Sequence, residues 1–178
     1  MATIEISKAN SEVTLDCGNA SINSLITESY YTTILQHAYC YIVSYKDRVV
    51  GTYMLKFTKI ELNICPEDIA DYRSEICTDC FSIHIKYVAV DKRYQGNGIG
   101  TFIMQYIIKS VMQLCEKWPV RLITLDALKE KYEWYLALGF LPFNEKDIDD
   151  DSATISMYMD CLLNQDEVNT YCERKCQI

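Results

Sequence analysis

Apolar and polar positions fall into two alternating rhythms along this chain. Residues 12–16 (Glu-Val-Thr-Leu-Asp) alternate with the period of a short strand. Ile22, Leu25 and Ile26 then recur at helical spacing behind Ser21, a residue suited to capping a helix N-terminus, and the helical pattern runs on to about His37. The β-forming stretches 39–45 and 48–57 flank Lys46-Asp47, which predicts a hairpin. Residues 58–64 either extend its return strand or form another, and residues 65–80 admit a short helix after Pro66 or a loop. Strand pattern returns at Phe81–Val90. A helix is predicted from Gly98 to Lys117, with Ile103, Ile107, Val111 and either Leu114 or Cys115 on one face and Pro119 beyond its end. Val120–Leu125 reads as a strand and Leu128–Leu138 as a helix closed by Gly139, the residue favoured at a left-handed cap. Phe140–Phe143 and Ala153–Asp160 are the last strands, and the tail from Leu163 is polar. This order describes an α/β fold with a mostly sequential sheet.

A chain of 178 residues that is 49% hydrophobic can bury one core, so a single domain over residues 1–162 is expected, followed by the polar tail 163–178. The opening Met-Ala-Thr-Ile-Glu-Ile lacks the basic start and apolar run of a signal peptide, and no apolar stretch approaches the ~20 residues of a membrane span. A cytoplasmic protein without membrane association is therefore expected. Nine cysteines suit reduced thiols better than an exported disulfide scaffold. Cys77 and Cys80 with Cys172 and Cys176 would make a four-thiolate zinc set, but their wide separation without a histidine pattern favours ordinary thiols, so no metal is expected. The net charge of −8 argues against a general nucleic-acid binder. Residues 84–134 nevertheless carry eight Lys/Arg against five Asp/Glu, so an anionic ligand there is not repelled.

The candidate chemistry begins where the strand ending at Asp91 gives way to Lys92-Arg93-Tyr94, and three glycines then alternate in Gln95-Gly96-Asn97-Gly98-Ile99-Gly100 before the helix. Strand, glycine loop and helix N-terminus in succession present unpaired backbone N–H groups and the positive end of a helix dipole, a cradle for a pyrophosphate. A dinucleotide fold would need a third glycine where Thr101 stands, and its loop usually opens the domain.

These residues carry a resemblance. Gln95 to Gly100 is similar to the Gln/Arg-x-x-Gly-x-Gly/Ala loop of the GNAT-superfamily N-acetyltransferases, and Val88-Ala89-Val90-Asp91 to the strand preceding it. Tyr135, followed by Gly139-Phe140, resembles the second signature of that family. Leu15-Asp16-Cys17-Gly18 with Ile22, Asn23 and Leu25, and later Leu125-Asp126-Ala127-Leu128, resemble its toxin-like branch, whose characterised members acetylate aminoacyl-tRNA. The chain departs from that branch in its acidity, in Lys86-Tyr87 where Gly-Arg is frequent, and in Lys129 where asparagine is usual. The resemblance implies the GNAT fold: a mixed central sheet of six to seven strands, helices on both faces, and a splayed strand pair holding coenzyme A.

By the same resemblance acetyl-CoA is the co-substrate. Backbone groups of Gln95, Gly96, Asn97, Gly98, Ile99, Gly100 and Thr101 would hold its pyrophosphate, and Val88, Ala89 and Val90 its pantetheine arm in the manner of an added strand. Lys92 and Arg93 are either partners for the nucleotide's negative charge or exposed turn cations. Tyr135 is the candidate general acid toward the departing thiolate; its rival reading is a core aromatic, and Tyr132 and Trp134 read as packing residues. His84, Glu133 or an ordered water chain would serve as base, and an aminoacyl ester, its amine partly neutral near pH 7–8, would need none. The expected reaction is direct transfer of acetyl to a primary amine in a ternary complex. Charged tRNA is one acceptor the resemblance offers; a cognate antitoxin and a homodimer are the partners it brings. A non-catalytic module that binds coenzyme A is the competing class.

Overall fold

In the computed structural model, residues 3–61, 79–148, 152–163, 166–167 and 170 are described. The elements are β1 (Ile4–Lys8), α1 (Ala20–Ile34), β2 (Tyr39–Tyr45), β3 (Arg48–Glu61), β4 (Asp79–Val90), α2 (Ile99–Cys115), β5 (Val120–Leu128), α3 (Tyr132–Ala137), β6 (Leu141–Pro142) and β7 (Thr154–Asp160). Seven strands form one mixed sheet in the order β1-β2-β3-β4-β5-β7-β6. The chain divides into two compact units, Met1–Phe57 with His84–Lys109, and Thr58–Ile83 with Ser110–Ile178.

In the first unit, β1 pairs antiparallel with β2, and β2 with β3. The hairpin turns on Lys46 and Asp47, both with positive φ (48° and 59°), the pair of angles that matches a two-residue turn to strand twist. One face buries Val13, Leu15, Ile26, Cys40, Met54, Tyr87 and Ala89 together. Against β3, α2 packs through Ile103 at Gly51, where a Cβ would stand 2.9 Å from the Ile103 Cδ1 and 3.0 Å from the Ala89 carbonyl. Ile103, Met104 and Ile107 are wholly buried and Val111 nearly so, the stripe the sequence predicts.

Three expectations need correction here. Residues 12–16 are not a strand. Val13 and Leu15 do point inward, but the Asp16 carbonyl accepts from the Lys92 N–H (2.9 Å) instead of a strand neighbour. The first strand lies earlier, at Ile4–Lys8. The cap of α1 is Asn19, not Ser21: the Asn19 Oδ1 accepts from the Ile22 N–H at 3.1 Å. That helix stops at Ile34, before His37. Gln36 takes a positive φ of 57°, and the N–H groups of Gln36 and His37 return to the carbonyls of Thr33 and Thr32. This is the closure glycine normally makes, so no glycine announced it.

In the second unit β5 pairs with β7 from Leu122↔Asp160 to Leu128↔Thr154, and β6 extends β7 through Leu141↔Tyr158. Arg121 forks onto Asp160 with Nε and Nη2 at 2.6 and 2.7 Å from the two carboxylate oxygens. Leu122 and Tyr158 anchor a cluster with Ile60, Cys80 and Phe143. Because β5 stays paired through Leu128, the helix predicted from that residue is delayed: a 3-10 turn spans Lys129–Lys131 and α3 starts at Tyr132.

The expected helix after Pro66 lies outside the described residues, as do Cys77, Cys172 and Cys176. Cys17, Cys40, Cys115 and Cys161 are free thiols. Among the described residues no helix is long and apolar enough to cross a membrane, and no cluster of three or more His, Cys, Asp or Glu side chains is placed to hold a metal.

Candidate active site

The first unit carries the glycine loop. At the end of β4 the nearly buried Asp91 donates its N–H to the Val50 carbonyl (3.0 Å), and its own carbonyl accepts from the Tyr94 N–H (2.8 Å). Its carboxylate takes the Arg93 N–H and Nε at 2.9 Å each on one oxygen, and Nη2 at 2.7 Å on the other. The bonds from Arg93 hold the Asp91 carboxyl below the usual carboxylate range. Lys92 is engaged as well, its Nζ 2.7 Å from the Asp16 carboxylate. Both turn cations considered for the nucleotide's charge thus have a carboxylate partner within this unit.

Gln95 and Asn97 work on the loop itself. The Gln95 amide donates to the carbonyls of Val90 (3.0 Å) and Cys17 (2.9 Å), and the Asn97 amide to those of Tyr94 and Gln95, both at 3.1 Å. Gly96 and Gly98 adopt φ of 77° and 76°, and a Cβ on either would meet nothing within 4 Å. Backbone angle, not crowding within the protein, is therefore what requires glycine at these two positions. The Gly98 carbonyl receives the first helical bond of α2, from the Phe102 N–H at 3.0 Å. No acceptor among the described residues takes the backbone N–H of Gly96, Asn97, Gly98, Ile99 or Gly100. Five such donors stand next to alternating positive-φ residues and a 17-residue helix, an arrangement of the kind that suits an anion. Ile99, Gly100 and Thr101 open α2 half-buried; on β4, Val88 and Val90 are half-buried and Ala89 is buried.

A support of this loop went unread in the sequence. One oxygen of Asp16 accepts from the Gly18 N–H and the Asn23 Nδ2, both at 2.9 Å, while the other meets Lys92. The Asn23 Oδ1 in turn accepts from the Cys17 N–H at 3.0 Å and thiol at 3.1 Å. The signal was present in Asp16-Cys17-Gly18 and Asn23, as part of the resemblance rather than as a physical role.

The second unit carries Tyr135. It lies in α3, its ring 4.7 Å from that of Trp134 and 5.9 Å from that of Phe140. Gly139, with φ 92°, sends its N–H to the Leu136 carbonyl (2.9 Å), and the Phe140 N–H goes to the Tyr135 carbonyl (3.1 Å). This is a Schellman closure with its accompanying apolar contact. Burial pushes the Tyr135 phenol up to about 12. Glu133 is exposed and His84, on β4, half-buried.

An acetyltransferase (GNAT) domain model matches residues 36–142. The chain belongs to this family and is an acyltransferase. Its fold is also that of known toxins. AtaT complexed with acetyl-methionyl-tRNAfMet shares 17% identity, with 89% of this chain and 95% of that one covered and a TM-score of 0.73. A tyrosine-to-phenylalanine mutant of KacT shares 18% over 94% of this chain and 98% of that one, also at 0.73. A tyrosine-to-phenylalanine mutant of AtaT, bound to the C-terminus of the antitoxin AtaR and acetyl-CoA, shares 17% over 89% and 94%, at 0.67. No curated protein matches the chain by sequence.

Proposed function

We propose that this chain is an acetyl-CoA-dependent N-acetyltransferase that moves an acetyl group directly onto a primary amine in a ternary complex. One observation carries the reading: the run of unclaimed N–H groups from Gly96 to Gly100, in a loop tied down on both sides. Those donors suit the pyrophosphate of coenzyme A, and Thr101 continues the same helix start. Val88, Ala89 and Val90 would flank the pantetheine arm. The Val90 carbonyl already accepts from Gln95, which leaves it one lone pair for that pairing.

In the reaction a neutral amine attacks the thioester carbonyl, the C–N bond forms, and the C–S bond breaks as the thiolate leaves. Tyr135 is assigned the proton on that sulfur. A phenol near 12 is fully protonated at neutral pH, so the donor is always loaded. Handing a proton to a free thiolate, whose thiol titrates near ~8.5, would be uphill from such a phenol. The transfer therefore accompanies C–S cleavage, and the proton released by the attacking amine restores the phenol. No separate base is required of His84 or Glu133 when the amine enters partly neutral, as the α-amine of an aminoacyl ester does.

Calorimetry with coenzyme A, followed by an acceptor screen with acetyl-CoA and thiol detection, tests this. Uptake of the coenzyme and release of thiol with an amine are expected; no uptake would end the proposal. A toxin that acetylates aminoacyl-tRNA is the more specific reading. It is favoured by the fold shared with AtaT and KacT over nearly the whole chain and by the Leu15–Gly18 segment. It predicts growth arrest on expression and an antitoxin partner. No arrest, together with no acetylation of charged tRNA, would exclude it.

A further inference from the structure

We infer that Asp16 and Asn23 are positioning residues for the coenzyme-binding loop, and that they act from the start of α1 rather than from the loop. The inference rests on the proposed role of Gly96–Gly100 as the phosphate anchor. None of the five anchor donors is held by a protein partner, so beyond the Asn97 amide's bonds to Tyr94 and Gln95 the loop takes its position from what borders it. Two ties to the 16–23 segment supply this. The Lys92 N–H and Nζ both bind Asp16, the first through its carbonyl and the second through its carboxylate. Further along, the Gln95 amide spans the carbonyls of Cys17 and Val90.

The 16–23 segment is itself locked from within. Gly18 has φ 83°, its N–H returns to Asp16, and Asn23 orients its amide by receiving Cys17 on the oxygen while giving Asp16 its nitrogen. Asn23 belongs to the first turn of α1, so a 15-residue helix fixes where the Cys17 carbonyl stands. The loop thus inherits its position from the helix. Asp16 and Asn23 reach the loop through Lys92 and Cys17 and not through the anchor amides, which separates their expected effect from that of Tyr135.

The test is a split of kinetic constants in the full chain. Asp16→Ala and Asn23→Ala should each raise the KM for acetyl-CoA, and the Kd for coenzyme A by calorimetry, about tenfold, the loss expected of one or two hydrogen bonds. The kcat at saturating acetyl-CoA and the KM for the amine should stay within about twofold. Asp16→Asn, which keeps one acceptor oxygen, should recover part of the affinity, and thermal melts identify any variant that fails to fold. Wild-type coenzyme affinity in folded Asp16→Ala and Asn23→Ala would overturn the inference while leaving the anchor reading intact. A fall in kcat with KM unchanged would overturn it as well. Failure of the wild-type chain to bind coenzyme A would remove the anchor reading and this inference with it.

Discussion

The Phe140 N–H closes on the Tyr135 carbonyl at 3.1 Å while the two rings meet edge to face, 78° apart in plane. One residue thus fixes both the backbone and the ring of the other. A glycine and a phenylalanine placed four and five residues after a tyrosine act here as a helix terminator that immobilises that tyrosine.

Tyr135→Phe separates the two classes of function. The substitution keeps the ring and its contact with Phe140 and removes only the hydroxyl. Turnover should fall at least about a hundredfold, the usual contribution of a general acid. Coenzyme affinity by calorimetry should change less than about threefold. Undiminished turnover would remove Tyr135 from the mechanism, and absence of turnover in the wild-type chain with intact coenzyme binding would favour a non-catalytic module.

The pH profile follows from the direction of the Tyr135 shift. As the proposed acid, Tyr135 would work as the neutral phenol, and burial carries its ionisation from the ordinary 10 to about 12. No alkaline decline of kcat belonging to this residue should appear between pH 7 and 10. Folding stability should weaken as pH rises from about 10 towards 12, because the unfolded chain loses this proton first. A difference titration of tyrosinate absorbance between wild type and Tyr135→Phe should show one phenol ionising near 12; ionisation near 10 would contradict the assignment.

Gly96→Ala and Gly98→Ala test the loop. A Cβ at either site meets open space, so the cost is strain in the left-handed backbone, about 1–2 kcal/mol each. Relief of that strain would turn the peptide planes and redirect the donors. Coenzyme affinity should drop at least about tenfold, while melting shifts by only several degrees. Calorimetry with scanning calorimetry distinguishes this from general unfolding.

Gly139→Ala should act on stability and turnover together. Its φ of 92° disfavours any side chain, and the new Cβ would sit 3.4 Å from the Met159 Cε, a contact a flexible methyl can yield to. Denaturant unfolding should register a loss of about 1–2 kcal/mol. Because the same turn holds Tyr135, kcat should fall as well; an unchanged kcat would mean that the closure does not position the phenol.

Much of this architecture was legible because periodicity reports burial directly. The stripe Ile103, Ile107 and Val111 is the buried face of α2, and Lys46-Asp47 is the hairpin turn. What failed, failed where hydrogen bonds, from backbone or side chain, ran against the apolar pattern. Val13 and Leu15 alternate as strand residues do, yet Asp16 spends its carbonyl on a distant turn. Gln36 ends a helix with the angle of a glycine. On its buried face α1 places Ser29 and Thr33, whose hydroxyls bond to the carbonyls of Ile26 and Ser29. Periodicity has no way to score such residues as core. The glycine loop was readable as a strand-to-helix connection, but the commitment of Arg93 to Asp91 and of Gln95 to two carbonyls emerges only in three dimensions.

Cys40 has no exposed surface and Cys161 is 2% exposed, and they fall in different units. Each is therefore shielded from alkylating reagents until its own half opens, and burial further suppresses the Cys161 thiolate by carrying its thiol to about 12. Timed modification resolved peptide by peptide would clock the two openings separately in the unaltered chain. Matching clocks would mean that the halves melt as one cooperative body; unequal clocks would show that one breathes while the other holds.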